Sequence, residues 1–146
     1  MITYYKGHTF KLLRKFTKEE VRIFSDLCGD KNPLHYDEEF CKTTIFKKPI
    51  IFGMLGASLF SNLLGNNLTG SIYIKQSVNF LRPIFIEEEI EARVVIEELI
   101  KPKNYLLFKT EVWKLDRENK SELKYELTIS GEAVVKYDKE KYNILI

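Results

Sequence analysis

Apolar and polar residues recur at helical spacing in the first part of the chain. After a mixed aromatic and basic start, which is compatible with an edge strand, residues 17–28 repeat their apolar positions every three to four residues. Thr17 and Glu20 form the pattern of a capping box, and Gly29 is the residue type that commonly ends a helix. The pattern therefore predicts a helix between Thr17 and Gly29, with an apolar face formed by Val21, Phe24 and Leu27.

The longest apolar stretch, residues 53–65, predicts a buried helix. A short helical turn at 37–42, capped by Asp37, precedes it. Apolar residues cover most of the predicted helix circumference, which is typical of burial on several sides: Met54, Leu55, Ala57, Leu59, Phe60, Leu63 and Leu64. Gly65 is expected to stop this helix, so that a loop begins at Asn66.

From Gly70 the apolar positions recur every second residue, which predicts strands. The first strand is expected to bury one face and to be interrupted at Arg82-Pro83; that face carries Ile72, Ile74, Val78 and Phe80. Three longer strands are predicted at about 88–99, 105–115 and 124–137. The connections between them, 101–104 and 116–122, are short, so the sheet is expected to be antiparallel.

These elements predict an α+β fold in which a curved antiparallel sheet wraps around a long central helix. The length of 146 residues fits a single domain spanning 1–146. A sheet edge or face left without a neighbour would be covered by a second subunit, so we expect a homodimer.

Composition and charge argue against binding to nucleic acid and against a membrane span. The net charge is +2 with both signs spread through the chain, which gives no footprint for nucleic acid. No apolar run reaches the roughly 18 residues of a membrane span, and the start lacks the apolar core of a signal peptide. Cys28 and Cys41 fit neither a metal site nor a disulfide framework. A cytoplasmic protein with reduced thiols is expected.

The most polar stretch between the predicted helices is GDKNPLHYD, residues 29–37. Turn chemistry alone would explain Asp30, Asn32 and Pro33, and a single histidine is more often structural than catalytic. The ordered pattern is longer, however, because FKKPIIFGMLGASLFSNLLG and GSIYIKQSVNFLRPIFIEEEI follow it. Together these motifs resemble the MaoC-like (R)-specific enoyl-CoA hydratases, the hydratase 2 family, over nearly the whole chain.

The resemblance implies a dimeric hot-dog fold and reversible syn hydration of trans-2-enoyl thioesters to (R)-3-hydroxyacyl thioesters. The catalytic aspartate and histidine of the family match Asp30 and His35. The glycine whose backbone N–H serves the oxyanion matches Gly53, and a helix serine near the catalytic pair matches Ser61. Asn32 belongs to the same motif as a supporting residue.

One position departs from the family pattern. The family usually has His-Gly-Met where this chain has Phe52-Gly53-Met54. Because the oxyanion donor is a backbone group, Phe52 is expected to change pocket shape and rate rather than reaction class.

Hydration of a conjugated thioester needs an activated water and a donor for the charge that develops on the carbonyl oxygen. A carboxylate and an imidazole can hold one water, and the start of a helix offers free N–H groups. No metal or redox cofactor is required; coenzyme A or an acyl carrier protein carries the substrate.

Three other functions fit the same features. One is a (3R)-hydroxyacyl-ACP dehydratase of fatty acid synthesis, which runs the same chemistry in reverse on a carrier protein. Another is a hot-dog thioesterase, although the full Asp30 to His35 loop argues against it. The third is a non-catalytic acyl-CoA-binding hot-dog protein, which only Phe52 favours.

Overall fold

The computed structural model describes residues 1–118 and 122–146. Its helices are α1 (Lys18–Cys28), α2 (Glu38–Cys41) and α3 (Gly53–Asn67), and Pro33–His35 forms a 3₁₀ turn. Its strands are β1 (Ile2–Tyr5), β2 (Thr9–Arg14), β3 (Ile72–Gln76), β4 (Asn79–Phe80), β5 (Ile90–Ile100), β6 (Tyr105–Asp116), β7 (Lys124–Lys136) and β8 (Tyr142–Leu145).

Six strands form one antiparallel sheet in the order β2-β5-β6-β7-β3, with β4 also paired to β7. The three long strands predicted from the alternating pattern are confirmed as β5, β6 and β7. A separate two-stranded parallel sheet joins β1 to β8, and the sequence pattern did not predict β8. The predicted connection at 116–122 lies partly outside the described residues.

Helix α3 packs against β2, β5, β6 and β7, as expected for the central helix of a hot-dog fold. Most of the predicted apolar positions are buried, but Met54 is 59% exposed, which corrects its placement in the core. It begins an open stripe that continues along the helix: Ser58, Ser61, Asn62 and Gly65. The helix therefore has one exposed stripe and is not buried on all sides, as its apolar pattern had indicated.

The predicted end of α3 at Gly65 is wrong, because the helix continues to Asn67. The Asn67 side-chain amide donates to the Leu63 carbonyl at 2.8 Å, and the Leu68 N–H donates to the Leu64 carbonyl at 2.9 Å. These bonds satisfy carbonyls of the last turn. Gly65 lowers the helix propensity of this turn, but the two hydrogen bonds offset that cost and the helix continues through it.

The predicted strand at 72–80 is split into β3 and β4, and its expected buried face is open. Ile72 and Ile74 are 58% and 46% exposed. A register shift between Tyr73 and Lys75 interrupts the alternation, and β3 lies at an edge of the sheet. An edge strand has a neighbour on one side only, so its apolar side chains lack part of their cover.

Helix α1 begins and ends where the sequence predicts. Thr17 and Glu20 form the reciprocal capping box, and Gly29 ends the helix with φ 82°. The predicted apolar face is wrong at Leu27, which is 83% exposed, whereas Ser25 is buried. No helix in the described part of the chain is long and apolar enough to cross a membrane.

Candidate active site

The loop after α1 is shaped by side chains that bond to nearby backbone. The Ser25 hydroxyl donates to the Asp30 carbonyl at 2.6 Å, which fixes the backbone where the carboxylate begins. One carboxylate oxygen of Asp30, Oδ1, accepts from the Asn32 N–H at 2.9 Å. The Asn32 side chain accepts from the Leu34 N–H at 3.1 Å and so caps the 3₁₀ turn. The second oxygen of Asp30 has no protein partner among the described residues.

His35 is buried, with 8% of its surface exposed. Its Nδ1 lies 2.8 Å from the carbonyl oxygen of Ile50. A carbonyl only accepts, so Nδ1 carries the hydrogen of this bond, and Nε2 is the ring nitrogen left for another partner. The ring stacks on Phe52 with centroids 3.7 Å apart and planes 26° apart. Phe52 in turn contacts Phe24, at 5.0 Å between ring centroids, so the imidazole plane is held from one side.

The chain just before α3 is fixed by two backbone hydrogen bonds from consecutive residues. The Ile50 N–H donates to the Leu34 carbonyl at 3.3 Å, and the Ile51 N–H donates to the Ile84 carbonyl at 2.8 Å. These bonds place the start of α3 beside His35. Phe52 is therefore the last residue before α3, and its ring faces the imidazole of His35.

Helix α3 begins without a side-chain cap, because Phe52 occupies the N-cap position. The N–H groups of Leu55 and Gly56 both donate to the Phe52 carbonyl, at 3.0 and 3.2 Å. Those of Gly53 and Met54 have no acceptor among the described residues. Two open donors at the positive end of a 15-residue helix are suited to an oxygen that carries negative charge.

A cavity of about 510 Å³ connects these groups. Asp30, His35 and Gly53 all contribute to its lining, and apolar residues supply most of the remaining wall, including Phe24, Phe46, Ile84 and Ile129. Such a site combines an apolar volume for a substrate chain with a few polar groups that fix its orientation.

Four of the predicted site residues therefore meet at one cavity: Asp30, His35, Phe52 and Gly53. Asn32 shapes the loop from behind rather than lining the cavity. Ser61 is not brought to the cavity, because it lies about two turns into α3 on the open stripe.

Two residues with clear roles at the site were missed from the sequence. One is Ser25, which donates to the Asp30 carbonyl. It lies four positions after Val21 on the same buried helix face, and a polar residue at such a position could have indicated a hydrogen bond. The other is Phe80, which lines the cavity. The alternation of apolar residues in 72–80 predicts instead that Phe80 lies on a buried strand face. No group of three or more His, Cys, Asp or Glu side chains suited to a metal ion lies within residues 1–118 or 122–146.

Comparison with known proteins gives the same relationship from sequence and from structure. The chain is 40% identical over 132 residues to the (R)-specific enoyl-CoA hydratase of Aeromonas caviae, covering 89% of this chain and 92% of the relative. It is 34% identical over 127 residues to a mitochondrial 3-hydroxyacyl-(acyl-carrier-protein) dehydratase of Solanum lycopersicum, covering 87% and 73%.

Among solved structures, the (R)-hydratase from A. caviae involved in PHA biosynthesis superimposes with a TM-score of 0.82 at 39% identity, covering 91% of this chain and 96% of that one. The family model described as MaoC like domain matches residues 6–112. With its hot-dog fold and this cavity, the chain belongs to the MaoC-like domain family.

Proposed function

We propose that this protein is an (R)-specific enoyl-CoA hydratase, which adds water reversibly to trans-2-enoyl-CoA to give (R)-3-hydroxyacyl-CoA. The observation that carries the proposal is the meeting, at one largely apolar cavity, of a carboxylate, a buried imidazole and an uncapped helix start. The 40% identity to the A. caviae hydratase supports the same reaction.

Asp30 and His35 activate the water in this proposal. The free carboxylate oxygen of Asp30 and the Nε2 lone pair of His35 both accept hydrogen bonds, so together they can orient one water and remove its proton. The oxygen of that water attacks C3 of the enoyl group, and a proton is delivered to C2 on the same face. The Ile50 carbonyl holds the histidine tautomer that this step requires.

Gly53 stabilises the charge that the attack creates. As electrons move from the C2–C3 double bond to the thioester carbonyl, its oxygen becomes negative and accepts from the open N–H at the start of α3. Removing such a donor costs about 10²–10³ in kcat where it has been tested. The reaction transfers protons and water only, so it requires neither a metal nor a redox cofactor.

The direct experiment is a hydration assay with purified protein and crotonyl-CoA, followed by the loss of ultraviolet absorbance of the conjugated thioester. Longer 2-enoyl thioesters would extend the assay, and chiral analysis would identify the product. We expect (R)-3-hydroxybutyryl-CoA. A pure (S) product, or no turnover with any chain length, would refute the proposal; release of free thiol without hydration would indicate a thioesterase.

A second candidate is dehydration of (3R)-hydroxyacyl thioesters on an acyl carrier protein. The 34% identity to the tomato dehydratase favours it, and the chemistry at Asp30, His35 and Gly53 would be unchanged. Comparison of kcat/KM for one acyl group on coenzyme A and on the carrier protein separates the two candidates.

We propose that the protein acts as a homodimer, with the open apolar side chains of the edge strand β3 covered by a second copy. The free state of Cys28 and Cys41 supports a reducing compartment, and we propose the cytoplasm.

A further inference from the structure

The Phe80 ring lies against the first residue of α3. A Cβ atom added to Gly53 would lie 2.6 Å from both Cδ1 and Cε1 of Phe80 and 3.1 Å from Cζ. Cβ atoms do not tolerate such distances, so one of the two groups would have to move. The ring therefore contacts the helix start beside the two N–H groups that lack an acceptor in the described chain.

The backbone of Phe80 is fixed, although its side chain is not packed in the core. Phe80 pairs with Ile129 in the antiparallel β4–β7 ladder, and the next residue, Leu81, donates its N–H to the Thr128 carbonyl at 2.8 Å. The ring itself is 54% exposed and lines the cavity. A rigid strand thus presents a half-open aromatic surface to the place where a thioester would bind.

We infer that Phe80 positions the thioester carbonyl against the Gly53 N–H and excludes water from that hydrogen bond. The inference rests on the proposed hydratase function. An apolar ring beside the donor lowers the local dielectric, so the bond to a developing oxyanion is stronger there than in water. The ring also limits the approach of the carbonyl to the open side of Gly53.

The contact gives a physical reason for a glycine at position 53, because any larger residue would displace the Phe80 ring. The start of a helix imposes no left-handed backbone on Gly53, so the constraint is the space taken by the Phe80 ring. Positions 53 and 80 are therefore coupled, because a side chain added at position 53 would move the Phe80 ring from its place beside the donor.

The test compares Phe80→Leu and Phe80→Tyr with wild type in the hydration assay. Leucine removes the flat ring and lets water reach the donor, so kcat should fall about tenfold or more while KM changes less than threefold. Tyrosine keeps the ring and should restore kcat to within threefold of wild type. The matched control is Phe40→Leu, at an exposed phenylalanine on α2 outside the cavity lining, which should leave both constants unchanged.

Three results would overturn the inference. The first is an unchanged kcat in Phe80→Leu, and the second is a rise in KM alone, which would indicate uniform apolar binding rather than positioning. The third is an equal loss in the leucine and tyrosine variants at the same unfolding midpoint. If wild type itself hydrates no enoyl thioester, the proposed function fails and the inference fails with it; an active wild type with an unaffected leucine variant refutes the inference alone.

Discussion

Asp30 and His35 reach the cavity through short-range contacts that a motif can encode. Asp30 is oriented by a bond from Asn32 two residues later, and the turn that carries His35 is capped by the same asparagine. This local geometry explains how a short stretch of sequence can bring both predicted residues to one cavity. The stacking of His35 on Phe52 and the contact of Phe80 with Gly53 join residues far apart in the chain, and no local pattern predicts them.

Phe52 occupies a position that is usually polar in the family, and the structure gives it a defined contact. Its ring lies flat against His35 and presents no hydrogen-bonding group to the imidazole. Within residues 1–118 and 122–146, the one hydrogen bond to the His35 ring comes from its contact with the Ile50 carbonyl, which therefore fixes the tautomer. This arrangement favours the expectation that Phe52 alters rate and pocket shape and leaves the reaction class unchanged.

The two cysteines should differ in reactivity toward an aromatic disulfide reagent. Cys41 is fully buried with its thiol 3.3 Å from the Leu34 carbonyl, and burial raises the pKa of that thiol, whereas Cys28 is exposed. We expect one fast-reacting thiol in the native protein and two after unfolding, measured by absorbance of the released thiolate. The Cys28→Ser variant should lose the fast phase. Two fast thiols in the native wild type would contradict this burial.

At the scale of elements, sequence patterns predicted the helices better than the first strand. The capping box and Gly29 define both ends of α1 by local chemistry. Gly65 misled the prediction of the end of α3 because later side-chain and backbone bonds continue the helix. The buried face of residues 72–80 was wrong because burial of a strand depends on its position in the sheet, which alternation does not specify.

The cap of α1 should contribute measurably to stability. Thr17→Ala removes the oxygen that accepts from the Glu20 N–H at 3.1 Å, and we expect a loss of about 1 kcal/mol in the free energy of unfolding. Urea unfolding measures it, with Thr69→Ala, at an exposed threonine, as the control. Equal losses in the two variants would show that the cap makes no specific contribution.

The same cap should give stability a dependence on pH. The bond from the Thr17 backbone N–H, more than the nearby Arg14 charge, lowers the pKa of Glu20 from its ordinary 4.5. A pKa lowered in the folded state gives stabilisation that is full above 4.5 and is lost as the pH falls through the folded-state pKa. When the pH is lowered from about 6 to about 3, the free energy of unfolding should therefore fall less in Glu20→Gln than in wild type. An identical pH dependence in both proteins would contradict this role of Glu20.

At the scale of the whole molecule, two edges bound the six-stranded sheet: β2 forms one, and β3 together with β4 forms the other. The β3 edge carries open apolar side chains at Ile72 and Ile74, beside which Tyr73 is also exposed. Tyr73 is exposed only in part, and the partial burial of its side chain raises the pKa of its hydroxyl to about 12. Exposed apolar side chains at a sheet edge favour self-association, and Lys75 is the one charged residue of β3.

Substitution at this edge tests the proposed homodimer. Wild type should sediment at twice the 17.2 kDa chain mass, and Ile74→Lys should shift it to monomer because charge would then face the second copy. The matched control is Leu13→Lys at a similarly exposed position on β2. A monomeric wild type, or dissociation by the β2 substitution alone, would contradict an interface at β3.

We propose that Asp30 and His35 act together on one water beside Gly53. The deciding experiment measures kcat for hydration of crotonyl-CoA by Asp30→Asn, His35→Ala and the double variant, with circular dichroism to verify folding. Each single variant should lose about 10²-fold or more, and the double variant should lose little beyond the worse single one, because both groups serve the same water. Near wild-type turnover by Asp30→Asn, or losses that multiply in the double variant, would contradict the account.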